Sequence, residues 1–197
     1  MFSHEAVRDW EAKLAPALAG ELQRRRRGKG GTGRRSWFVD ETYLKVRGRW
    51  AYLYRAIDRN GDLVDTMLSE HRDMAAAQAF FRSAKAATGS VPDRVTTDGH
   101  GSYPRAIRTT LGRRVAHRTS RYKDNGLEQD HRGVKGRIRC MRGFGSFASA
   151  ERFCRGYDEL RDFLCPHTRH NQHVPADRRR LLHLRRATAA LAILGAA

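Results

Sequence analysis

Two runs rich in aromatic and β-branched residues, SWFVDETYLKV (36–46) and RWAYLYRAID (49–58), meet across Arg47 and Gly48. Strand-forming runs joined by a glycine-containing turn specify a β-hairpin. A third run, DLVDTMLSE (62–70), follows RNG (59–61), so a meander of three strands is expected. The period then changes. DMAAAQAFFRSAKAATG (73–89) reads as a helix capped by Asp73, filled by alanines and apolar residues, and ended by Gly89. Pro92 opens a new element, the short strand DRVTTDG, which ends at Asp98. YPRAIRTTLG is a helix with Pro104 near its start, RRVAHRTS a fifth strand, and a further helix follows. The order βββαβαβα admits few topologies. With strand one central and paired to strand four, it matches an α/β fold of the ribonuclease-H-like kind, a mixed five-stranded sheet flanked by helices.

The flanks read differently. SHEAVRDWEAKLA (3–15) is a short amphipathic helix with Ser3 as cap, Glu5 in the first turn and Val7, Trp10 and Leu14 as its apolar stripe. Pro16 is expected to interrupt it. Its opening looks like the recognition helix of a helix-turn-helix whose preceding helices are absent, so residues 1–23 are expected to be a short N-terminal helical remnant, with the chain truncated in front. RRRRGKGGTGRR (24–35) mixes cations with glycines and reads as a flexible basic linker. Residues 36–165 would be the main α/β domain and 166–197 a basic C-terminal tail.

Charge narrows the partner. Lys plus Arg number 39 against 21 Asp plus Glu, a net +18 spread along the chain, and hydrophobic residues make up 40%, enough for a core. Such an excess implies a polyanion, with nucleic acid the default. A membrane is disfavoured, because no run of about 18 apolar residues exists and the terminal ATAALAILGAA is too short to span. Cys140, Cys154 and Cys165 have no CxxC spacing, which fits a reducing cytoplasm and gives no support to a zinc site.

YKDNGLEQDHRGVKGR (122–137) holds three acids, Asp124, Glu128 and Asp130, among cations. Read as a helix from Leu127, capped by Asn125 or Asp124, it places Glu128, His131 or Arg132, and Lys135 on one face, with Asp130 elsewhere. That stripe is either ordinary ion pairing on a solvated face or a carboxylate that holds metal beside cations that hold phosphates. In the expected topology Asp40 lies in strand one, Asp98 at the end of strand four and Glu128 on the helix after strand five, so all three can reach one edge of the sheet. Phosphoryl transfer on DNA needs such a cluster, because clustered carboxylates hold a pair of Mg²⁺ ions about 4 Å apart. Asp40 beside Glu41 also reads as an edge-strand charge, and Asp98 before Gly99 as turn chemistry. Asp58, Asp62 and Asp65 read as surface acids around a hairpin turn, and His100 and His117 as structural or nucleic-acid-facing residues near the site. Trp37, Tyr43 and Trp50 read as strand aromatics of the core.

WFVDETYLKVRGRWAYLYRAID, TTDGHGSYPRAI, HRTSRYKDNGLEQDHRGVKGR and MRGFGSFASAERFCRGYDELR, in this order, resemble the transposases of the IS-six (insertion sequence six) family, whose catalytic domain is of the DDE type. The resemblance implies that Asp40 and Asp98 are the two catalytic aspartates, that Glu128 is the glutamate, and that these three hold two Mg²⁺ or Mn²⁺ ions. It implies that Lys135 contacts DNA near the reacting end. Arg132, His131, Arg24, Arg25, Arg26, Arg27 and Lys29 are the further candidates for phosphate contact. The implied partners are DNA, as the terminal inverted repeats of an element and its target, and further copies of the chain in a homo-oligomer, with no membrane and a nucleoid-associated place in the cytoplasm. Asp124-Asn125-Gly126 departs from the family pattern, which has an Asn pair and then a larger residue. The short front keeps two alternatives open: a catalytically inactive DNA-binding remnant or regulator of transposition, and a ribonuclease-H-like nuclease.

Overall fold

The structure, a computed structural model, describes residues 3–27, 35–120, 125–140, 143–165 and 175–196, with backbone alone at 4, 7, 8, 125–130 and 140. The elements are α1 (His4–Arg26), β1 (Ser36–Val46), β2 (Arg49–Asp58), β3 (Leu63–Ser69), α2 (Met74–Thr88), β4 (Arg94–Thr97), α3 (Tyr103–Thr110), β5 (Ala116–Thr119), α4 (Asn125–Cys140), α5 (Phe147–Leu164) and α6 (Ala176–Gly195). The five strands form one sheet in the order β3-β2-β1-β4-β5. β1 and β2, and β2 and β3, are antiparallel, whereas β4 runs parallel to both β1 and β5. This is the expected mixed sheet with strand one at its centre.

Local chemistry explains the turns. Val46 pairs with Arg49, and the two residues between them, Arg47 and Gly48, both have positive φ (49° and 78°), the conformation of a two-residue hairpin turn whose twist matches the strands. Asp73 Oδ1 accepts from the Ala76 N–H at 2.8 Å to start α2, and Gly89, at φ 68°, ends it in the left-handed conformation.

Strand alternation gives the sheet two apolar faces. Trp37, Val39, Tyr54, Ala56 and Val64 pack under Phe80 and Phe81 of α2 and Ile107 of α3. On the other face Leu44, Val46, Leu53 and Leu68 pack against Val134 of α4, Phe144 and Cys154 of α5. A third cluster, Leu18, Leu22, Ala190 and Ile193, joins α1 to α6, so the C-terminal helix packs on the N-terminal one. Cys154 is buried and Cys165 exposed, both as free thiols. No helix among the described residues is long and apolar enough to cross a membrane.

Several expectations are overturned. Pro16 does not interrupt α1, which runs through it. An internal proline costs about 3 kcal/mol, and the residues that bury, Leu18, Ala19 and Leu22, all lie beyond it, so their packing carries the helix past the break. Arg24–Arg26 belong to this helix, not to a linker; residues 28–34 and 166–174 lie outside the described residues. Asp58 and Asp65 are buried, not surface acids. Asp58 Oδ1 accepts from the N–H groups of Asn60 (2.7 Å) and Asp62 (3.1 Å) and closes the β2–β3 turn. Trp37 is core, but Tyr43 and Trp50 are exposed.

Candidate active site

The parallel ladder of β1 and β4 pairs Ser36 with Arg94, Trp37 with Val95 and Phe38 with Thr96. Two further steps bring Asp40 beside Asp98. Parallel neighbours lie about 4.8 Å apart, so two carboxylates distant in sequence become adjacent at the point where β4 stops. Oxygens of Asp40, Glu41 and Asp98 all lie within 4.8 Å of one another.

Each carboxylate is held by its own strand or turn. Asp40 Oδ1 accepts from the Glu41 N–H at 2.9 Å. Asp98 Oδ1 accepts from the His100 N–H at 3.0 Å, and Thr97 Oγ1 accepts from the Gly99 N–H at 3.2 Å while bonding His117 Nε2 at 2.9 Å. Gly99 has φ +96°, and a Cβ there would meet Thr119 Cγ2 at 2.6 Å. The turn that aims Asp98 therefore requires glycine. Gly99→Ala is expected to destabilise the protein by about 1–3 kcal/mol and lower its melting temperature. Adding Thr119→Ser, which deletes the clashing methyl, should return the steric part of that loss and leave the φ strain.

Glu41 is the member of the cluster that the sequence did not single out as a site residue. It accepts from the Tyr103 hydroxyl and from Arg72, whose guanidinium also lies 3.4 Å from Asp98 Oδ2. Burial, and then the charge of Glu41, pushes the Tyr103 phenol above its usual range, so it stays protonated and donates. Arg72 and Tyr103 reach the site from the loop before α2 and from the start of α3, and only the adjacency of Glu41 to Asp40 could have signalled them.

On the opposite face Asp40 is paired across the β1/β2 ladder with Arg55. Arg55 is buried and lies 3.1 Å from the buried Asp158 of α5. His131 of α4 turns its Nδ1 toward Asp40 Oδ2 at 3.8 Å, too long for a hydrogen bond. Burial, with the charges of Arg55 and Lys135, pushes this imidazole down to about 4, so it faces the carboxylate neutral. His131 is thus a buried neighbour of Asp40, not the exposed phosphate ligand expected. Glu128 sits one helical turn before it on α4; its side chain lies outside the described residues.

The expected DNA contacts separate. Lys135 and Arg132 are exposed on α4. Arg24 and Arg25 pair with Glu21 on α1, Arg25 at 2.8 Å. Arg26 differs from expectation: it is half-buried, donates to Glu159 at 2.6 and 2.9 Å, and donates to the carbonyls of Leu63 and Val64 at 2.8 and 2.7 Å. It lies at β3, two strands from Asp40, and its donors are taken up inside the protein. Arg27 follows the end of α1, and Lys29 lies outside the described residues.

Three comparisons bear on this geometry. The family model DDE_Tnp_IS240, a DDE domain, matches residues 34–165. The transposase for insertion sequence-like element IS431mec of Staphylococcus aureus (strain Mu50) is 36% identical over 136 residues, 67% of this chain and 58% of the relative. The transposase for insertion sequence element IS257 in transposon Tn4003 of Staphylococcus aureus matches to the same extent. The chain thus spans less than two thirds of the length of these relatives. Among solved structures, the simian T-cell lymphotropic virus intasome in complex with PP2A regulatory subunit B56 gamma superposes with a TM-score of 0.53 at 15% identity, covering 78% of this chain and 55% of that one. The HTLV-2 integrase catalytic core domain in complex with magnesium superposes with a TM-score of 0.50 at 12% identity, covering 77% and 97%. These likenesses show the ribonuclease-H-like fold.

Proposed function

The chain belongs to the IS-six family of DDE-domain transposases, and from that membership we propose that it cleaves the 3′ ends of an insertion sequence and joins them to target DNA by divalent-metal-dependent phosphoryl transfer. The observation that carries the reading is the meeting of Asp40, Glu41 and Asp98 within 4.8 Å, with Glu128 on the helix that packs across Asp40. The donor set fits the metal: every candidate ligand is a carboxylate oxygen, the kind Mg²⁺ and Mn²⁺ prefer. Asp40, Asp98 and Glu128 would hold two such ions, which when bound stabilise charge on the attacking and leaving oxygens of an in-line displacement.

The chain's own residues then have separate tasks. Glu41 and Tyr103 hold Arg72 beside Asp98. Lys135 and Arg132 contact phosphates and set the strand in line. In the first step a water oxygen attacks the phosphorus, and the bond to the element's 3′ oxygen breaks, leaving a 3′-hydroxyl. In the second, that hydroxyl attacks a target phosphodiester and displaces the target's own 3′ oxygen. No covalent bond to the enzyme forms, and the product is a cointegrate. Two copies of the chain would act together, one at each end of the element.

The test is strand transfer with a labelled duplex carrying a pre-cut terminal repeat, in Mg²⁺ or Mn²⁺, comparing the chain with Glu128→Gln. Joined products that vanish in the variant support the reading. Duplex binding by both proteins with no joining by either would replace it with a DNA-binding role.

A further inference from the structure

β1 outruns the helices that cover it. The row of cross-strand pairs facing α2 and α3 runs Glu41–Tyr54, Tyr43–Tyr52, Lys45–Trp50. Tyr54 is core and Tyr52 half-buried, but Tyr43 is 55% and Trp50 52% exposed. On the other face of the same segment Leu44 and Val46 are buried against Val134 and Phe144. The end of the hairpin is therefore covered on one side only. On its open side it carries two large aromatics where polar residues would dissolve better.

Cations surround these rings. Lys45 Nζ lies 4.8 Å from the Trp50 ring centre, and Lys135 Nζ reaches over from α4 to 4.7 Å from that of Tyr43. Tyr43 and Trp50 meet edge to face, centroids 4.9 Å apart and planes at 89°. Arg47 and Arg49, at the tip, are exposed. Trp10, Leu181, Leu184 and Leu191 are also exposed, but they lie on α1 and α6 and not on the strand that carries Asp40.

Rigid aromatics held among ammonium groups are the composition of a base-stacking platform: the rings take base faces of any sequence, and the cations take the phosphates between them. Tyr43 follows Glu41 of the carboxylate cluster by two residues on the same face of β1, roughly 7 Å along the strand, about two base steps of DNA. We infer that Tyr43 and Trp50, with Lys45 and Lys135, bind unpaired bases of the DNA strand next to the reacting phosphate, so that this site takes frayed or single-stranded DNA in preference to intact duplex. The inference rests on the reading of the chain as an enzyme acting on DNA, and it names the form of DNA the site accepts. A duplex keeps its base faces stacked inside the helix and can offer these rings only its backbone and groove edges.

Binding is measured in EDTA, so that the result stands apart from any catalysis. The probes are a single strand with 2-aminopurine at successive positions and the blunt duplex of the same sequence. The full chain is expected to quench 2-aminopurine in the single strand. Trp50→Ala and Tyr43→Ala should each weaken single-strand binding roughly tenfold with duplex binding unchanged, and Trp50→Phe should restore most of the loss. Lys45→Ala should weaken both forms and lower the salt dependence of each. Equal losses for strand and duplex in Trp50→Ala, or no loss in either, would overturn the platform. Both rings are exposed, so the alanine variants are expected to fold, as unchanged melting would verify. Strand transfer without this preference would reject the platform alone, and the preference without strand transfer would reject only the catalytic reading.

Discussion

Asp40→Asn is expected to lower metal-dependent cleavage and joining of DNA ends by about a thousandfold and to leave the fold intact. Asparagine keeps the volume of the side chain and an oxygen able to accept the Glu41 N–H, the bond Asp40 makes at 2.9 Å. It removes the negative charge that the cluster with Glu41 and Asp98 presents. Loss of one such ligand forfeits several kcal/mol of transition-state stabilisation, and about 4 kcal/mol corresponds to a factor of a thousand. The melting temperature without metal should stay within a few degrees of the parent, while the rise on adding Mn²⁺ should disappear. Mg²⁺-dependent product within tenfold of the parent would remove Asp40 from the mechanism.

Arg55→Leu is expected to be strongly destabilising. Arg55 and Asp158 lie 3.1 Å apart with almost no exposure, between β2 and α5. Burial raises the Asp158 carboxyl and the charge of Arg55 opposes that rise. Taking the guanidinium away leaves the buried carboxylate without its countercharge, beside Cys154 and the further acids Glu159 and Asp162, a situation that costs about 3–5 kcal/mol. For a chain of this size the melting temperature should fall on the order of 10 °C. Replacing both partners removes the uncompensated charge, so Arg55→Leu with Asp158→Leu should recover most of the loss. Thermal denaturation of the single and double variants decides the matter: a double variant no more stable than the single one would show that the pair is not what Arg55 contributes. Because Arg55 is also the ladder partner of Asp40, the double variant should fold yet transfer strands poorly.

Much of the fold could be read from the sequence because its determinants are local. The hairpin follows from Gly48, the limits of α2 from Asp73 and Gly89, and the strand order from the succession of elements. Asp40 and Asp98 could be brought together for the same reason, since strand order fixes neighbours. What escaped is non-local. Strand alternation assigns Tyr43 and Trp50 to a face but does not say where the covering helices end. Asp65 looks like a surface charge until α2 covers it, and Arg55 and Arg26 find their carboxylates only on α5. Pro16 is a local stop signal that packing farther along α1 overrides. Glu41 was visible beside Asp40, yet its hold on Arg72 and Tyr103 depends on two elements that nothing in β1 announces.

The bonds that hold Arg26 have a bearing on the order in which the chain can assemble. Arg26 and Glu159 are 133 residues apart, and the guanidinium also takes the carbonyls of Leu63 and Val64. During synthesis α1 emerges before α5, yet its place in the structure is defined by that later helix. Until α5 and α6 arrive, Leu18 and Leu22 lack the apolar residues they pack on, and Arg26 lacks its carboxylate. Closure over so long a separation is slow and follows the local contacts of the hairpin and α2. The interval before it is when the growing chain is most exposed to aggregation.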